Sequence, residues 1–275
     1  MSTFRDKVAV ITGAGSGIGK ALAEELARRG AILSLCDLSA DRVEAVVESI
    51  RQSGGRAVGS VVDVRHYESV KTLIEAAASA HGRLDYVFNN AGIGVIGAAV
   101  DVSIEDWRNV LDVNLNGVVH GATVAFSLMV KQGFGHIINI GSIEGLVPVP
   151  LNASYVTSKF AVVGLSGALR IEGADQGVKV SVACPGHVHT AIFQDSKMIN
   201  GDRSKLMKLI PPWAGWTPEK CAKAILRGVE KNKAYIVVSE GAKMLWRTSR
   251  FAPNLVFDIM RGVFRRARKI GVISS

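Results

Sequence analysis

The sequence predicts an α/β fold: a doubly wound, seven-stranded parallel sheet flanked by helices on both faces, forming a single domain with a basic helical C-terminal extension. Three observations predict it. Short β-branched runs alternate regularly with helical segments, the runs lack clean polar alternation, and a glycine-rich loop joins the first run to the first helix. Strand–helix–strand alternation implies right-handed crossovers and parallel pairing. Apolar runs without alternation imply strands buried on both faces.

In chain order the predicted strands are KVAVIT (7–12), AILSLC (31–36), AVGSVV (57–62), LDYVF (84–88), HIINI (136–140), VKVSVAC (178–184) and AYIVV (234–238). Between the early strands, GKALAEELARRG and SADRVEAVVESIRQSGG carry apolar residues three and four apart and end in glycine, as helices commonly do. At 275 residues the chain matches one large core, and 48% hydrophobic against 21% charged residues fits a compact globular protein. Residues 113–130 carry no formal charge, but Asn114, Asn116 and His120 interrupt the stretch, which reads as a buried helix rather than a membrane span. The N-terminal apolar run is too short for a secretory signal. Cys36, Cys184 and Cys221 have no paired spacing, so reduced thiols in a cytoplasmic protein are expected. His187 and His189 alone have ligand-like spacing, with no acidic or cysteine partner nearby, and no metal site is expected.

TGAGSGIG, residues 12–19, follows the first strand and opens the first helix. Gly13, Gly17 and Gly19 permit a tight turn, close approach of a pyrophosphate and close helix–strand packing, although Ile18 stands where G-x-G-x-x-G would place its last glycine. Asp37, at the end of the second strand, can accept hydrogen bonds from both hydroxyls of an adenosine ribose and would repel a 2′-phosphate, so NAD is expected. Lys20 and Arg42 keep NADP open. Asp63, ending the third strand with the Val64 backbone beside it, reads either as an acceptor for the adenine amino group or as a helix-capping turn residue.

Tyr155 and Lys159 sit one helical turn apart after the fifth strand, and Ser142 precedes them at that strand's end. A tyrosine of pKa about 10 is a poor base at neutral pH, and a neighbouring ammonium can lower that value by ~1–3 units. The expectation is a phenol made acidic by Lys159, with Ser142 bringing a hydroxyl to the same point.

These residues carry a family resemblance. TGAGSGIG at 12–19, NNAG at 89–92, VNLNG at 113–117, Ser142 with YVTSK at 155–159, and PGHVHT at 185–190 together make residues 6 to about 240 resemble the short-chain dehydrogenase/reductase family, with its Rossmann-type fold. The resemblance implies catalytic Asn114, Ser142, Tyr155 and Lys159. It implies a cofactor site of Gly13, Ser16, Gly17, Ile18, Gly19, Asp37, Asp63, Val64, Asn90, Ala91, Gly92, Tyr155, Lys159, Pro185, Gly186, Val188 and Thr190, with Asn90 near the adenosine ribose and Val188 and Thr190 near the nicotinamide carboxamide. Tyr155 is then the proton carrier for hydride transfer between NAD and an alcohol or ketone, while Asn114, at a helix irregularity, anchors a water. A homodimer or homotetramer built through helices 103–131 and 152–173 is expected on the same ground. His187 departs from the family pattern and reads either as a polar ring near nicotinamide or substrate, or as a solvated loop residue.

The domain is expected over 1–240, with a substrate lid at about 187–217. The lid's Ile192, Phe193, Met198, Ile199, Met207, Leu209, Ile210, Trp213 and Trp216 favour an apolar lipid-, steroid-, terpenoid- or aromatic-like alcohol or ketone, unless they only pack the lid on the body. The extension, 241–275, holds eight Lys or Arg against Asp258 alone. Its segment 253–269 places Val256, Met260, Val263 and Ala267 on one face and Arg261, Arg265 and Arg268 on another. Such a helix can dock on the body or a second subunit, or lie on an anionic membrane; nucleic acid is not expected as a partner. A dinucleotide sensor without turnover would have lost Ser142, Tyr155 or Lys159, and an epimerase or dehydratase would need a longer substrate domain.

Overall fold

A computed structural model describes residues 3–209 and 215–273, with the side chain of Leu209 outside the description. Ile210 and Trp213 of the predicted lid therefore lie outside the described residues.

The first half alternates β1 (Val8–Thr12), α1 (Gly17–Arg28), β2 (Ile32–Asp37), α2 (Ala40–Gln52), β3 (Arg56–Val61), α3 (Tyr67–His81) and β4 (Tyr86–Asn89). A two-residue strand β5 (Val95–Ile96) precedes α4 (Ile104–Leu111), a π-helical turn at Asp112–Asn116 and α5 (Gly117–Gln132). Then come β6 (Gly135–Ile140), a 3₁₀ turn at Ile143–Gly145, α6 (Ala153–Gly173) and β7 (Val178–Pro185). The remainder is α7 (Ile192–Asp195), β8 (Lys197–Met198), α8 (Arg203–Leu209), α9 (Pro218–Glu230), β9 (Tyr235–Val238), α10 (Glu240–Phe251) and α11 (Pro253–Lys269).

Seven strands form one parallel sheet in the order β3-β2-β1-β4-β6-β7-β9. All seven match the runs read from sequence. In β1 the pattern's logic is visible: Ala9 and Ile11 enter the cluster with α1, α2 and α9, while Val8 and Val10 enter the cluster with α3 and α5. Every β1 residue is buried, so none needs to be polar. β3 departs from this reading, because as an edge strand it leaves Val58 and Val61 exposed.

Serine and threonine set several helix starts, with Ser39, Ser103, Thr217 and Ser239 each accepting a hydrogen bond from the backbone N–H three residues on. Gly82 and Gly133 end α3 and α5 in the left-handed conformation. The run Ile104–Gln132 is long and apolar enough to cross a membrane, yet Val118, Ala122, Ala125 and Met129 are buried in the domain core.

Two features escape the sequence pattern. β5 and β8 pair in a separate parallel ladder that ties the lid to the segment after β4. The extension is also continuous with the domain: Ala242 packs with Val118, Val162, Val182 and Val237. Its last residues fold back, with Ala267, Val272 and Ile273 buried against Ala98, Leu151, Met198 and Leu206, and with Ile273 bridging to Gly201. The single apolar stripe expected on α11 splits as a result. Val256 and Ala267 face the body, while Val263 is exposed on the flank.

Candidate active site

The sheet order reverses between β1 and β4, and ligands of such sheets bind in the crevice beyond the carboxyl ends of the strands at that point. The loop Gly13–Ser16 lies there. Gly13 takes φ +62°, and a Cβ on Gly19 would stand 2.1 Å from the Gly13 carbonyl oxygen, so only glycine lets α1 approach β1 this closely. Thr12 and Asn90 brace the loop from beneath. The Asn90 amide donates to the carbonyls of Thr12 and Gly13 at 3.0 and 2.9 Å, and the buried Thr12 hydroxyl accepts from the N–H groups of Asn90 and Ala91. Asn90, expected beside a ribose, thus spends its amide on the loop itself, and Thr12 is a residue that motif reading passed over.

Ser16 is the N-cap of α1 without a capping side-chain bond, and no acidic residue occupies the first turn, which suits a phosphate. Ile18 packs into the adjoining core. Thr190 stands against Gly17, 3.2 Å from where a Cβ would lie, so the PGHVHT segment closes on the glycine loop. Pro185 ends β7 beside Val238, Gly186 lies against Ser239, and Val188 is buried and bridged to Trp216. At the end of β2, one Asp37 oxygen accepts from Gly15 N–H at 2.9 Å and the other from Ser39 N–H. The cradle and its carboxylate fit a nicotinamide dinucleotide.

Asp63 is a turn residue ahead of α3, its side chain accepting from the Arg65 N–H at 3.0 Å and its carbonyl from the His66 N–H at 3.1 Å. Its carboxylate is gripped by the Arg65 guanidinium at 2.6–3.0 Å, which holds it below the usual carboxylate range, while His66 occupies the N-cap position of α3 without a side-chain cap bond. The Val64 carbonyl meets the His120 ring at 2.9 Å.

Beyond β6, Ser142, Tyr155, Lys159 and Asn114 converge. The Ser142 hydroxyl lies close enough to the Tyr155 hydroxyl to favour its ionised form. Lys159 is buried, donates to the Ile140 carbonyl at 2.9 Å, and lies 5.4 Å from the centre of the Tyr155 ring. A Cβ on Gly92 would stand 3.4 Å from Asn114 Oδ1 and 3.6 Å from Lys159 Nζ, so NNAG meets the same point. Asn114 is fully buried in the π turn. Its oxygen accepts from Ile93 N–H, and its amide donates to the Ile93 carbonyl and to Ser158 Oγ, which in turn donates to the Tyr155 carbonyl. The expected helix irregularity is present, and the Asn114 side chain is bonded to Ile93 and Ser158.

In the protein by itself, burial, then the Glu144 carboxyl, push Tyr155 above the ordinary tyrosine range, against the lowering effect of Ser142, and Lys159 is not among the groups that shift it. Burial pushes Lys159 itself down to about 8. The ammonium donates to the Ile140 carbonyl rather than to the Tyr155 hydroxyl. Glu144, unremarked in the sequence, is raised to about 7 by burial, with the Asn152 amide and Lys159 opposing.

His187 is not a solvated loop residue. Its Nε2 is buried with no hydrogen-bond partner among the described residues, its ring packs on Phe193 and His189, and burial lowers its pKa. The segment predicted as a lid is held together internally by Arg203, whose guanidinium donates to the carbonyls of Phe193, Gln194 and Ser196. Part of its apolar set packs the lid: Trp216 joins the core, and Met198 meets the C-terminal residues.

Fold and cleft together define an oxidoreductase that uses a nicotinamide cofactor on alcohol or ketone groups. The chain belongs to the short-chain dehydrogenase/reductase family: the family model for short chain dehydrogenase matches residues 7–199. A cyclohexanol dehydrogenase of Acinetobacter sp. (strain SE19) is 34% identical over 86% of this chain and 93% of its own length. A putative oxidoreductase, SadH, of Mycobacterium tuberculosis is 37% identical over 99% of this chain and 97% of its own. A short chain dehydrogenase/reductase from Burkholderia phymatum, solved in complex with NAD, superposes with a TM-score of 0.84 at 32% identity, covering 93% of this chain and 96% of that one.

Proposed function

We propose that this protein interconverts an apolar secondary alcohol and its ketone using NAD, with Tyr155 exchanging the proton. The observation that carries the reading is the gathering of Ser142, Tyr155 and Lys159 beside the glycine cradle at one end of the sheet. When bound, the nicotinamide supplies or accepts the hydride.

The chain's own residues do the rest. Ser142 orients the substrate oxygen toward the Tyr155 hydroxyl. Because burial keeps that phenol protonated, it is set to give its proton to a carbonyl oxygen, the direction of ketone reduction. Lys159 places a cation under the ring, and the Asn114–Ser158 chain holds the first turn of α6 in position.

NAD is favoured over NADP by Asp37, whose carboxylate is fixed beside the loop, and by Arg42, whose guanidinium is paired with Asp195 at 3.2 Å. The apolar substrate is supported by the half-buried Ile192, Phe193 and Ile199 of the lid and by the alicyclic alcohol in the name of the Acinetobacter relative. Following NADH absorbance over a panel of secondary alcohols and ketones tests the reading. Turnover of small polar alcohols alone would reject the apolar substrate, and tighter binding of NADPH than NADH would reject the cofactor.

A further inference from the structure

Two residues past Ser142, the 3₁₀ turn carries Glu144 into the neighbourhood of the reacting pair. Its backbone N–H donates to Ser142 Oγ at 3.1 Å. Its carboxyl is met by the Asn152 amide, which spans both oxygens at 3.5 and 3.2 Å. Asn152 is the N-cap residue of α6 and stands three residues before Tyr155. Among the described residues no Lys or Arg forms an ion pair with Glu144, although its charge is felt by both Tyr155 and Lys159. A carboxylate offers about four acceptor positions, and two long contacts from one amide leave most of them unspent. Half-buried beside the catalytic serine, Glu144 thus keeps acceptor positions that a ligand's donor can fill.

We infer that Glu144 and Asn152 form a recognition subsite for a hydrogen-bond donor, a hydroxyl or an ammonium, carried on the substrate next to its reacting carbinol. The inference rests on the proposed alcohol chemistry and sharpens it: an apolar body under the lid, with one polar neighbour at the reacting end.

The test compares cyclohexanol, 1,2-cyclohexanediol and 2-aminocyclohexanol as substrates, and as ligands of the protein–NADH complex by calorimetry, for the wild type and for Glu144→Gln and Glu144→Leu. Glutamine keeps an acceptor for Asn152 and so preserves the turn while removing the charge. A hydrogen bond to a charged group corresponds to about 10- to 100-fold in kcat/KM or affinity. The expected result is a loss of that size for the diol or the amino alcohol relative to cyclohexanol in both variants, over and above any change common to all three compounds; the two arms identify the donor. Equal losses for all three compounds, or a wild type that binds them equally well, would overturn the subsite. Absence of turnover with intact selective binding would instead sink the proposed reaction and leave the subsite standing.

A separate observation concerns the extension. With Val256 and Ala267 sealed against the body, α10 and α11 leave Phe251 89% and Met244 69% exposed, and Leu255, Ile259 and Val263 follow at four-residue spacing along one exposed flank. Cations including Arg247, Arg250, Arg265 and Arg266 are exposed on the same two helices. A large apolar ridge carrying this much positive charge matches lipid chains beneath anionic headgroups better than a neutral protein face. We propose that this surface docks on an anionic lipid bilayer. Because the last residues of the same extension pack on the lid, the docked face and the substrate entrance are mechanically joined.

Co-sedimentation of the full chain with phosphatidylcholine vesicles and with phosphatidylcholine–phosphatidylglycerol vesicles tests it, alongside a Phe251→Glu/Leu255→Glu/Ile259→Glu variant whose changes are all at exposed positions. Binding is expected to the anionic vesicles only, weakened by salt and lost in the triple variant, while NADH affinity is retained. No binding to anionic vesicles, or unchanged binding by the variant, would refute the proposal. A dimer in sedimentation equilibrium that dissociates in the variant would reassign the face to a contact between copies of the chain.

Discussion

Lys159 gives its ammonium hydrogen bond to the Ile140 carbonyl at 2.9 Å while lying 5.4 Å from the centre of the Tyr155 ring. The lysine is thereby a fixed cation beneath the phenol rather than a partner of its oxygen. Tyr155→Phe should abolish turnover, by at least ~10³-fold if the proton has no other carrier, while NADH affinity changes little. Lys159→Met should reduce turnover and NADH affinity together. Single-turnover kinetics with fluorescence titration of NADH separate the two outcomes, and a Phe variant retaining substantial activity would contradict the assignment.

Asp37 and Arg42 meet at Gly15, where an added Cβ would stand 2.8 Å from the Asp37 carboxylate and 2.7 Å from the Arg42 Cβ. Asp37→Ser removes the charge that repels a 2′-phosphate, and Asp195→Ala releases Arg42 from its ion pair with the lid. The double variant should shift the NADPH-to-NADH affinity ratio by ~10-fold or more toward NADPH. Asp195→Ala alone should do little, since the pair is exposed and such pairs contribute at most about 1 kcal/mol.

Gly19→Ala should cost at least ~10-fold in NADH affinity, because its Cβ would force α1 away from the Gly13 carbonyl and from Asn90 Nδ2. Circular dichroism distinguishes this local effect from unfolding. Unchanged NADH binding in a folded variant would show that the helix start does not hold the cofactor.

His136 is buried, and its Nε2 meets Ser181 Oγ at 2.8 Å; Ser181 spends its own proton on the Lys233 carbonyl, so the ring donates. Burial pushes its pKa down to about 3 from 6.5, with Lys179 and Arg170 adding to the shift. Between those values the unfolded chain binds more protons than the folded one, so stability is lost as pH falls from about 6.5 toward 3, at ~1.4 kcal/mol per pH unit for one fully coupled site. Denaturant midpoints at pH 7, 5.5 and 4.5 should show this slope, and His136→Gln should flatten it even though the variant is less stable at neutral pH.

Ile273 pairs with Gly201 and packs near Leu206, which ties the chain's last described residues to the lid. Ile273→Asp should free the lid, raising KM about fivefold or more with a smaller change in kcat, as expected when closure rather than proton transfer is disturbed. Steady-state kinetics on any turned-over alcohol give the split.

Much of this was legible before the fold was known. The seven strands, the glycine loop and the identities of Ser142, Tyr155 and Lys159 are written in local spacing, and local spacing sets periodicity, turn conformation and helix face. β5 and β8 were not legible because two-residue strands carry no period and pair across about a hundred residues. Glu144 and Asn152 were passed over because nothing in SIEG or LNAS marks a carboxyl that becomes half-buried. Thr12 and Ser158 lie inside recognisable motifs, yet their roles as braces depend on groups far along the chain.

The sequence by itself determined the class of sheet, the cofactor cradle and which side chains could do the chemistry, since each follows from the conformational preferences of neighbouring residues. Tertiary structure decided the desolvation of Tyr155, the burial of His187 and which face of α11 meets solvent. Those depend on desolvation and on contacts between distant segments, and the sequence pattern records neither.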